Sequence, residues 1–465
     1  MIGNIILVTG IIILLSLFSI RISKKLEIPL LIMFLLIGML AGSEGIGKIY
    51  FDNALVAQNL GTVALMFIIF SGGLETKKED VKNSISPSGT LATLGVLLTA
   101  GLSGIAVYYL TNFTLKEALL FSAMVSSTDA AAVMSILGDS KLKKSVKSVV
   151  EIESGSNDPM AYALILFLLS FFKENTNTSI ITGVIFLFKQ ITLGAFIGYL
   201  FGLITLPLAR YIKIVREEFL TIHLIGILFI CFGLATLLDG NGFLAIYIAS
   251  IMIGNKQFNY KLNSIRNMRL ITWFMQIGMF VMLGLLVFPS QLLDYILIGS
   301  LLSVIMIIGI RIITVYTLLW PFKFNNKEKF FISWAGLKGA VPIIFATMAI
   351  TEGLPNAQGM FNLTFYIVVF SVLLQGMTLK YVGKKLNLFE ENSDEDKFIE
   401  IEELEELALK KMILDKNSQY VNQKIKELEL PKGMLIVSIK RENNYITPKG
   451  DVTLLMGDTL LFSQN

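Results

Sequence analysis

Two reactive side chains are nearly missing from this 465-residue sequence, which holds one cysteine, Cys231, and one histidine, His223. A single cysteine closes no intramolecular disulfide and builds no cysteine-based metal site, and a single histidine excludes a multi-histidine centre. Charge is scarce as well: 16% of residues are Asp, Glu, Lys or Arg, against 54% apolar. Soluble globular proteins run at about 25% charged and about 45–50% apolar. With a mean hydropathy of +0.71, an ordinary cytosolic enzyme is excluded. The remaining charges are unevenly placed. Residues 1–389 carry 29 basic and 19 acidic side chains, and residues 390–465 carry 10 and 16. The formal net charge of +4 therefore combines a basic apolar body with an acidic tail.

What the body does have is long hydrophobic runs. A hydrocarbon core of about 30 Å needs about 20 apolar residues per helix. About thirteen such segments precede residue 385: 2–20, 28–42, 54–73, 89–110, 116–137, 149–172, 178–208, 219–238, 241–254, 269–289, 293–320, 329–350 and 362–379. The first is not expected to be a cleaved signal, because no Lys or Arg precedes it and small-residue cleavage chemistry is absent after Phe18.

Charge tests the count, since cytoplasmic loops collect Lys and Arg. Alternate connections hold 23 basic residues, from Arg21, Lys24 and Lys25 through Lys141, Lys143, Lys144 and Lys147 to Lys380, Lys384 and Lys385. The intervening loops hold Lys48, Lys116 and Lys173. This asymmetry places the N-terminus outside and the acidic tail in the cytoplasm, which an odd number of spans satisfies. The expected organisation is a transmembrane domain over 1–388, an acidic linker over 389–399 and a soluble α+β module over 400–465. In that module an acidic helix spans Glu400 to Leu409. Strands are expected at Lys411–Leu414, Met434–Ile439 and Thr459–Phe462, with turns at Asn443-Asn444 and Thr447–Asp451. The alternating apolar runs argue against a disordered tail.

Ionisable groups at membrane depth cost about 2.5–3.5 kcal/mol each on insertion scales, so each is a functional candidate. The acids inside apolar spans are Asp129, Glu151, Glu153 and Asp158, and the bases are Lys189, Arg311 and Lys338. Lys189 stands alone in sequence and suits an inter-helix contact or snorkelling; Glu151 falls near a solvated helix end. Asp129 and Asp158 differ because their surroundings favour exposed backbone. Ser126-Ser127-Thr128-Asp129 is a polar knot in an apolar segment, suited to a helix interrupted at mid-membrane whose freed carbonyls surround a cation. In Glu153-Ser154-Gly155-Ser156-Asn157-Asp158-Pro159, helical spacing puts Ser154 on the face of Asp158 and Glu153 on that of Asn157. Pro159 lacks an N–H, which frees the carbonyl of Gly155. Carboxylate, hydroxyl and carbonyl oxygens are the ligands hard cations take. The bland alternative is that these acids only form helix–helix hydrogen bonds.

The twelfth segment repeats the theme with Gly336-Leu337-Lys338-Gly339-Ala340-Val341-Pro342. Pro159, Gly336, Gly339 and Pro342 are the expected helix-breaking positions. Breakable helices at matched positions of two six-helix halves point to an inverted-repeat secondary transporter. Glu153 needs a buried partner, and Arg311, which cannot be deprotonated, is favoured over Lys338.

Thr128-Asp129-Ala130-Ala131-Ala132-Val133 and Glu153 through Pro159 resemble the NhaP-type monovalent cation:proton antiporters. Phe70-Ser71-Gly72-Gly73-Leu74, Gly242 through Tyr247 and Gly336 through Ala340 resemble further segments of that family. The resemblance covers residues 1–385 and implies an all-α polytopic membrane protein of thirteen helices, homodimeric, with crossed and unwound fifth and twelfth helices. It implies that Asp158 is the shared cation and proton site, that Asp129, the Thr128 backbone and Ser154 complete it, and that Asn157 helps hold the core. Ser71 stands where many relatives have an acid, and Lys338 where many have Arg.

In the tail, Ser438-Ile439-Lys440-Arg441, Ile446 through Asp451 and Gly457-Asp458-Thr459-Leu460 resemble the TrkA-C (RCK-C) ligand-binding module. No glycine-rich dinucleotide fold precedes it. Antiporters with this module are similar to potassium/proton exchangers of volume and potassium control, which favours K+ over Na+ as the substrate; in some relatives the module binds cyclic di-AMP between two copies. No nucleic-acid partner is expected, and membrane lipid is. Burial favours a neutral carboxyl and a bound cation favours a carboxylate, so a buried aspartate can hold either in turn, and one charge each way makes the exchange electroneutral. A ligand-gated cation channel would need a Thr-Val-Gly-Tyr-Gly-like filter, and an intramembrane aspartyl protease its Tyr-Asp and Gly-x-Gly-Asp motifs. Neither set is present in the membrane body.

Overall fold

A computed structural model describes residues 2–26, 29–138, 140, 142–172, 180–214, 216–389, 409–414, 418, 420–428, 430, 434–441 and 444–464. The chain folds as two compact units, residues 1–390 and 391–465.

The first unit is mostly helical. α1 (Ile2–Leu26), α2 (Leu30–Ala41) and α3 (Ala54–Glu75) precede α4 (Lys78–Thr90), which passes through a π turn at Leu91–Gly95 into α5 (Val96–Leu110). α6 (Leu115–Met124), α7 (Ala130–Leu137) and α8 (Lys144–Leu169) follow, then α9 (Ile180–Tyr211), α10 (Glu217–Leu237), α11 (Gly242–Gly254) and α12 (Lys261–Leu285). α13 (Pro289–Leu292) and α14 (Ile296–Val304) lead through a π turn at Ile305–Ile310 into α15 (Arg311–Leu318). α16 (Asn326–Trp334), α17 (Val341–Thr351) and α18 (Ala357–Ser371) precede a π turn at Val372–Gly376 and α19 (Met377–Lys385).

Among the described residues, eight continuous helices are long and apolar enough to cross a bilayer by length and composition, and Gly10–Ser23, Leu30–Ala41, Gly242–Gly254 and Val341–Thr351 are shorter apolar helices. Long helices alone therefore do not reach thirteen. Two expected segments, 116–137 and 329–350, are each split in two, as α6/α7 and α16/α17. Others outrun their apolar stretch: α4 starts at Lys78 and α12 at Lys261.

Both split helices start on capping boxes. The Thr114 side chain accepts from the Glu117 N–H and the Glu117 carboxylate accepts from the Thr114 N–H; Asn325 and Glu328 do the same for α16. Such a box satisfies two otherwise orphaned donors and fixes where the helix begins. Beyond α19 the chain turns back on the unit. The Lys143 N–H donates to the Leu388 carbonyl at 2.9 Å, Leu142 and Phe389 form an isolated antiparallel bridge, and Leu388 packs in a buried cluster with Leu142, Val146, Phe331 and Leu379.

The second unit holds an antiparallel sheet of order β1-β4-β2-β3, from β1 (Leu409–Ile413), β2 (Met434–Arg441), β3 (Asn444–Ile446) and β4 (Thr459–Gln464). Met412 pairs with Leu460, Ile436 with Phe462, and Ile439 with both Leu460 and Ile446, with an irregularity between Ile436 and Ser438. Leu414, Ile436, Ile439, Leu454, Leu460 and Phe462 form its core. Asp458, almost wholly buried, accepts two hydrogen bonds of 2.8 Å from Arg441 and one of 2.8 Å from the Leu455 N–H. The Arg441 guanidinium holds the Asp458 carboxyl below its ordinary range. Linker residues 390–399 and the acidic helix expected from Glu400, up to residue 408, lie outside the described residues, as does Asn443 of the expected turn.

Candidate ion-binding site

The two interruptions meet. Between α6 and α7 the chain leaves helical geometry over residues 125–129, and between α16 and α17 over residues 335–340. The Asp129 N–H donates to the Leu337 carbonyl at 2.8 Å, which ties one break to the other. Each break exposes a half-helix C-terminus, carrying partial negative charge, and a half-helix N-terminus, carrying partial positive charge. Asp129 answers the second: it is the N-cap of α7, its Oδ1 accepting from the Ala132 N–H at 3.0 Å. Lys338 answers the first, its ammonium donating to the carbonyls of Ser126 at 3.2 Å and Ser127 at 3.1 Å just beyond α6. The freed carbonyls expected to face a cation are thus partly taken by a lysine, which makes no ion pair with Glu153 among the described residues.

The glycines beside Lys338 keep room for charged neighbours. A Cβ on Gly339 would overlap the Asp129 carboxylate, and one on Gly336 would come within 2.5 Å of Arg311 Nε. Pro342 falls in the first turn of α17, where a missing N–H costs no helical hydrogen bond. Pro159 behaves differently from its expected role: α8 runs unbroken through it from Lys144 to Leu169. Proline removes one helical hydrogen bond, and neighbouring elements sustain the rest of the helix. Here Asn241 donates to the Pro159 carbonyl at 2.6 Å, and Tyr247 packs over Gly155.

α8 clamps the first break. Ser154 Oγ donates to the Thr128 carbonyl at 2.8 Å and accepts from the Ala130 N–H at 2.8 Å, bridging the strand-like step into α7. Asn157 Nδ2 donates to Thr128 Oγ1 at 2.6 Å. Asp158, buried, faces Ser127, Asp129 and Lys338. Its Oδ1 has no hydrogen-bond partner among the described residues, and neither do Ser127 Oγ and Asn157 Oδ1. Buried polar atoms are nearly always paired, so three orphaned oxygens at one crossing fit the donor set of a hard cation.

Glu153 pairs with Arg311, Oε1 to Nη2 at 2.7 Å, both buried. Arg311 enters where the π turn at Ile305–Ile310 meets α15. Lys189 does not stand alone: it pairs with Asp239 at 2.9 Å, both largely exposed. Glu151 is half-exposed, 3.8 Å from Lys147 one turn earlier. Ser71 is buried within α3.

Three contributors carried no sequence signal strong enough to single them out. Asn241 caps α11 through the Leu244 N–H while holding Pro159, and Gln190 receives the Asn241 N–H at its carbonyl at 3.0 Å. Gln375 holds the end of α16, donating to the Trp334 carbonyl at 2.7 Å. An isolated Asn or Gln beside apolar residues reads as ordinary until its partner is known.

Residues 11–385 match the family described as sodium/hydrogen exchanger, transmembrane, and residues 411–464 match the TrkA-C domain. The chain is 34% identical over 462 residues to the K(+)/H(+) antiporter NhaP of Alkalimonas amylolytica, covering 98% of this chain and 80% of that protein. It is 36% identical over 444 residues to the K(+)/H(+) antiporter NhaP2 of Shewanella sp. (strain ANA-3), covering 94% and 77%. Its fold is similar to the sodium proton antiporter MjNhaP1 of Methanocaldococcus jannaschii, with a TM-score of 0.71 at 20% identity over 83% of this chain and 99% of that one. With its crossed interruptions, its buried aspartates and a match over most of its length, the chain belongs to the sodium/hydrogen exchanger family.

Proposed function

We propose that the chain exchanges K+ for H+ across the cytoplasmic membrane by alternating access around Asp158. The observation that carries this reading is the buried Asp158 carboxylate with one unpartnered oxygen, set beside unpartnered Ser127 Oγ and Asn157 Oδ1 where the two interrupted helices cross. Thr128, Ser154 and Asp129 complete the site: Ser154 fixes the Thr128 carbonyl, and Asp129 holds the end of α7. Glu153 and Arg311 form the ion pair that keeps α8 and α15 in register. A carboxylate that takes a proton on one side and a cation on the other moves one charge each way, and the exchange is electroneutral.

K+ is favoured over Na+ because the relatives matched along both body and tail are named K(+)/H(+) antiporters. The eight long helices, α1, α2, α11 and the split pairs α6/α7 and α16/α17 supply thirteen crossings in two inverted repeats. The lysine-rich loops put the N-terminus outside and the TrkA-C module, residues 400–465, in the cytoplasm, where it binds a small ligand of the cyclic di-AMP or other nucleotide class and regulates a homodimer. Members of the family are transporters rather than enzymes. The test is a cation series in vesicles containing the purified full chain. K+ changes the lumenal pH at the lowest concentration, Na+ less effectively, and choline not at all. Equal response to K+ and Na+ sinks the preference, and response to neither sinks the antiport.

A further inference from the structure

The interruption between α16 and α17 frees two backbone groups near its start, the Trp334 carbonyl and the Lys338 N–H. Both are met from one neighbouring helix. Gln375 Nε2 donates to the Trp334 carbonyl at 2.7 Å, the Lys338 N–H donates to Ser371 Oγ at 3.1 Å, and Ser371 Oγ donates to Gln375 Oε1 at 2.5 Å. Ser371 and Gln375 are completely buried. Ser371 ends α18 at the start of the π turn at Val372–Gly376, and Gln375 lies within that turn. A π turn inserts a residue and re-aims side chains, and such turns recur at functional sites. Next to it, Trp334 Nε1 donates to Thr378 Oγ1 at 3.0 Å, so the end of α16 is held twice from this helix.

We propose that Ser371 and Gln375 are positioning residues for the exchange site, acting through Lys338; the proposal rests on the reading of Asp158 as that site. They fix the backbone from which the Lys338 side chain leaves. The ammonium then reaches the Ser126 and Ser127 carbonyls, and the residues immediately following, Thr128 and Asp129, are the ones clamped by Ser154, Asn157 and the α7 N-terminus. A small rotation at Lys338 is passed to the oxygens around Asp158, while the chain's apolar packing is untouched.

The test uses full-length protein in vesicles and compares Ser371→Ala with Ser371→Thr, and Gln375→Met with the parent chain. Ser371→Ala and Gln375→Met each raise the KM for K+ about tenfold and shift the pH profile of exchange, with a smaller change in maximal rate. Ser371→Thr, which keeps the hydroxyl, restores both. A purely structural role would lower the melting midpoint and the amount of inserted protein without moving KM or the pH profile. Parental KM and pH profile in both Ser371→Ala and Gln375→Met overturn the proposal, whatever happens to their stability. A parent chain without cation-driven proton flux overturns the antiport reading instead, and the two failures are told apart by that control.

Discussion

α6 and α16 begin alike. Each opens on a capping box, and each box glutamate is buried and makes one further link: Asn356 donates to Glu117 at 3.0 Å, and Lys143 pairs with Glu328 at 2.5 Å. Past those starts the two helices diverge. The first break carries a negative group, Asp129, at the N-terminus of its second half. The second carries a positive one, Lys338, and its second half begins on Val341 and Pro342 without a side-chain cap. The first break is therefore supported by the second, since Lys338 takes the Ser126 and Ser127 carbonyls within it. Matched architecture carries an acidic side chain at one break and a basic one at the other. Four interventions break or sharpen this contrast.

The largest effect on exchange is expected where the two breaks touch. Gly339→Ala drives a methyl into the Asp129 carboxylate, and a misplacement of about 1 Å at a working site costs about 100-fold in rate. Exchange in vesicles should fall by about that factor while the protein still inserts. The same substitution at Gly353, where no heavy atom lies within 4 Å of the added methyl, should leave the crossing intact and cost only backbone strain at its positive φ.

Next comes the ion pair that anchors α8. Arg311→Met leaves Glu153 buried without its cation, a loss of about 3–5 kcal/mol for a severed buried pair. The melting midpoint in detergent reads it. Adding Glu153→Met should recover much of that loss, because no buried charge then remains. A double variant no more stable than the single one would show that the pair does more than satisfy itself.

The capping boxes should respond equally. Thr114→Ala and Asn325→Ala each remove an N-cap worth about 1 kcal/mol, and thermal unfolding should drop by a similar amount in both. A marked inequality would mean that the two starts, alike in geometry, are not alike in load.

The smallest effect lies in the tail, whose Arg441–Asp458 pair contrasts with the buried Glu153–Arg311 pair because Arg441 is about one-third exposed. Asp458 has a lowered pKa with Arg441 hydrogen bonding as the leading cause. The pair's contribution is therefore complete above the unfolded aspartate value of about 4 and is lost as pH falls through the lower folded value. Protection of the Leu455 N–H, its hydrogen exchange measured relative to the intrinsic rate at each pH, should fall only in that acid window, and Asp458→Asn should remove that fall.

How much of this was legible in the sequence depended on range. Asp129 and Lys338 announced themselves because Ser-Ser-Thr-Asp and Gly-Leu-Lys-Gly-Ala-Val-Pro put polar or helix-breaking residues into apolar segments, a local signal. Glu153–Arg311 was legible as a need, since a buried acid wants a permanent cation, and the structure supplies it at 2.7 Å. Pro159 misled: its local effect is to free one carbonyl, but Asn241, over 80 positions away, and Tyr247 support α8 there. The role of Lys338 was also misjudged, because the Ser126 and Ser127 carbonyls it meets come within reach only where the two breaks cross. Ser371 and Gln375 were invisible for the same reason. In the tail, alternating apolar residues placed three of the four strands to within a few positions, β1 beginning at Leu409 rather than Lys411 and β2 and β4 each running two residues further, while β3 was not expected and begins at Asn444, a residue assigned to a turn.

The central claim is that one carboxylate, Asp158, holds cation and proton in turn. The most direct measurement is K+-driven proton flux in vesicles containing either the parent chain or Asp158→Asn, inserted in equal amount. The account predicts a lumenal pH change with the parent and none with the variant at every pH tested. K+-dependent proton flux that survives in Asp158→Asn would contradict it.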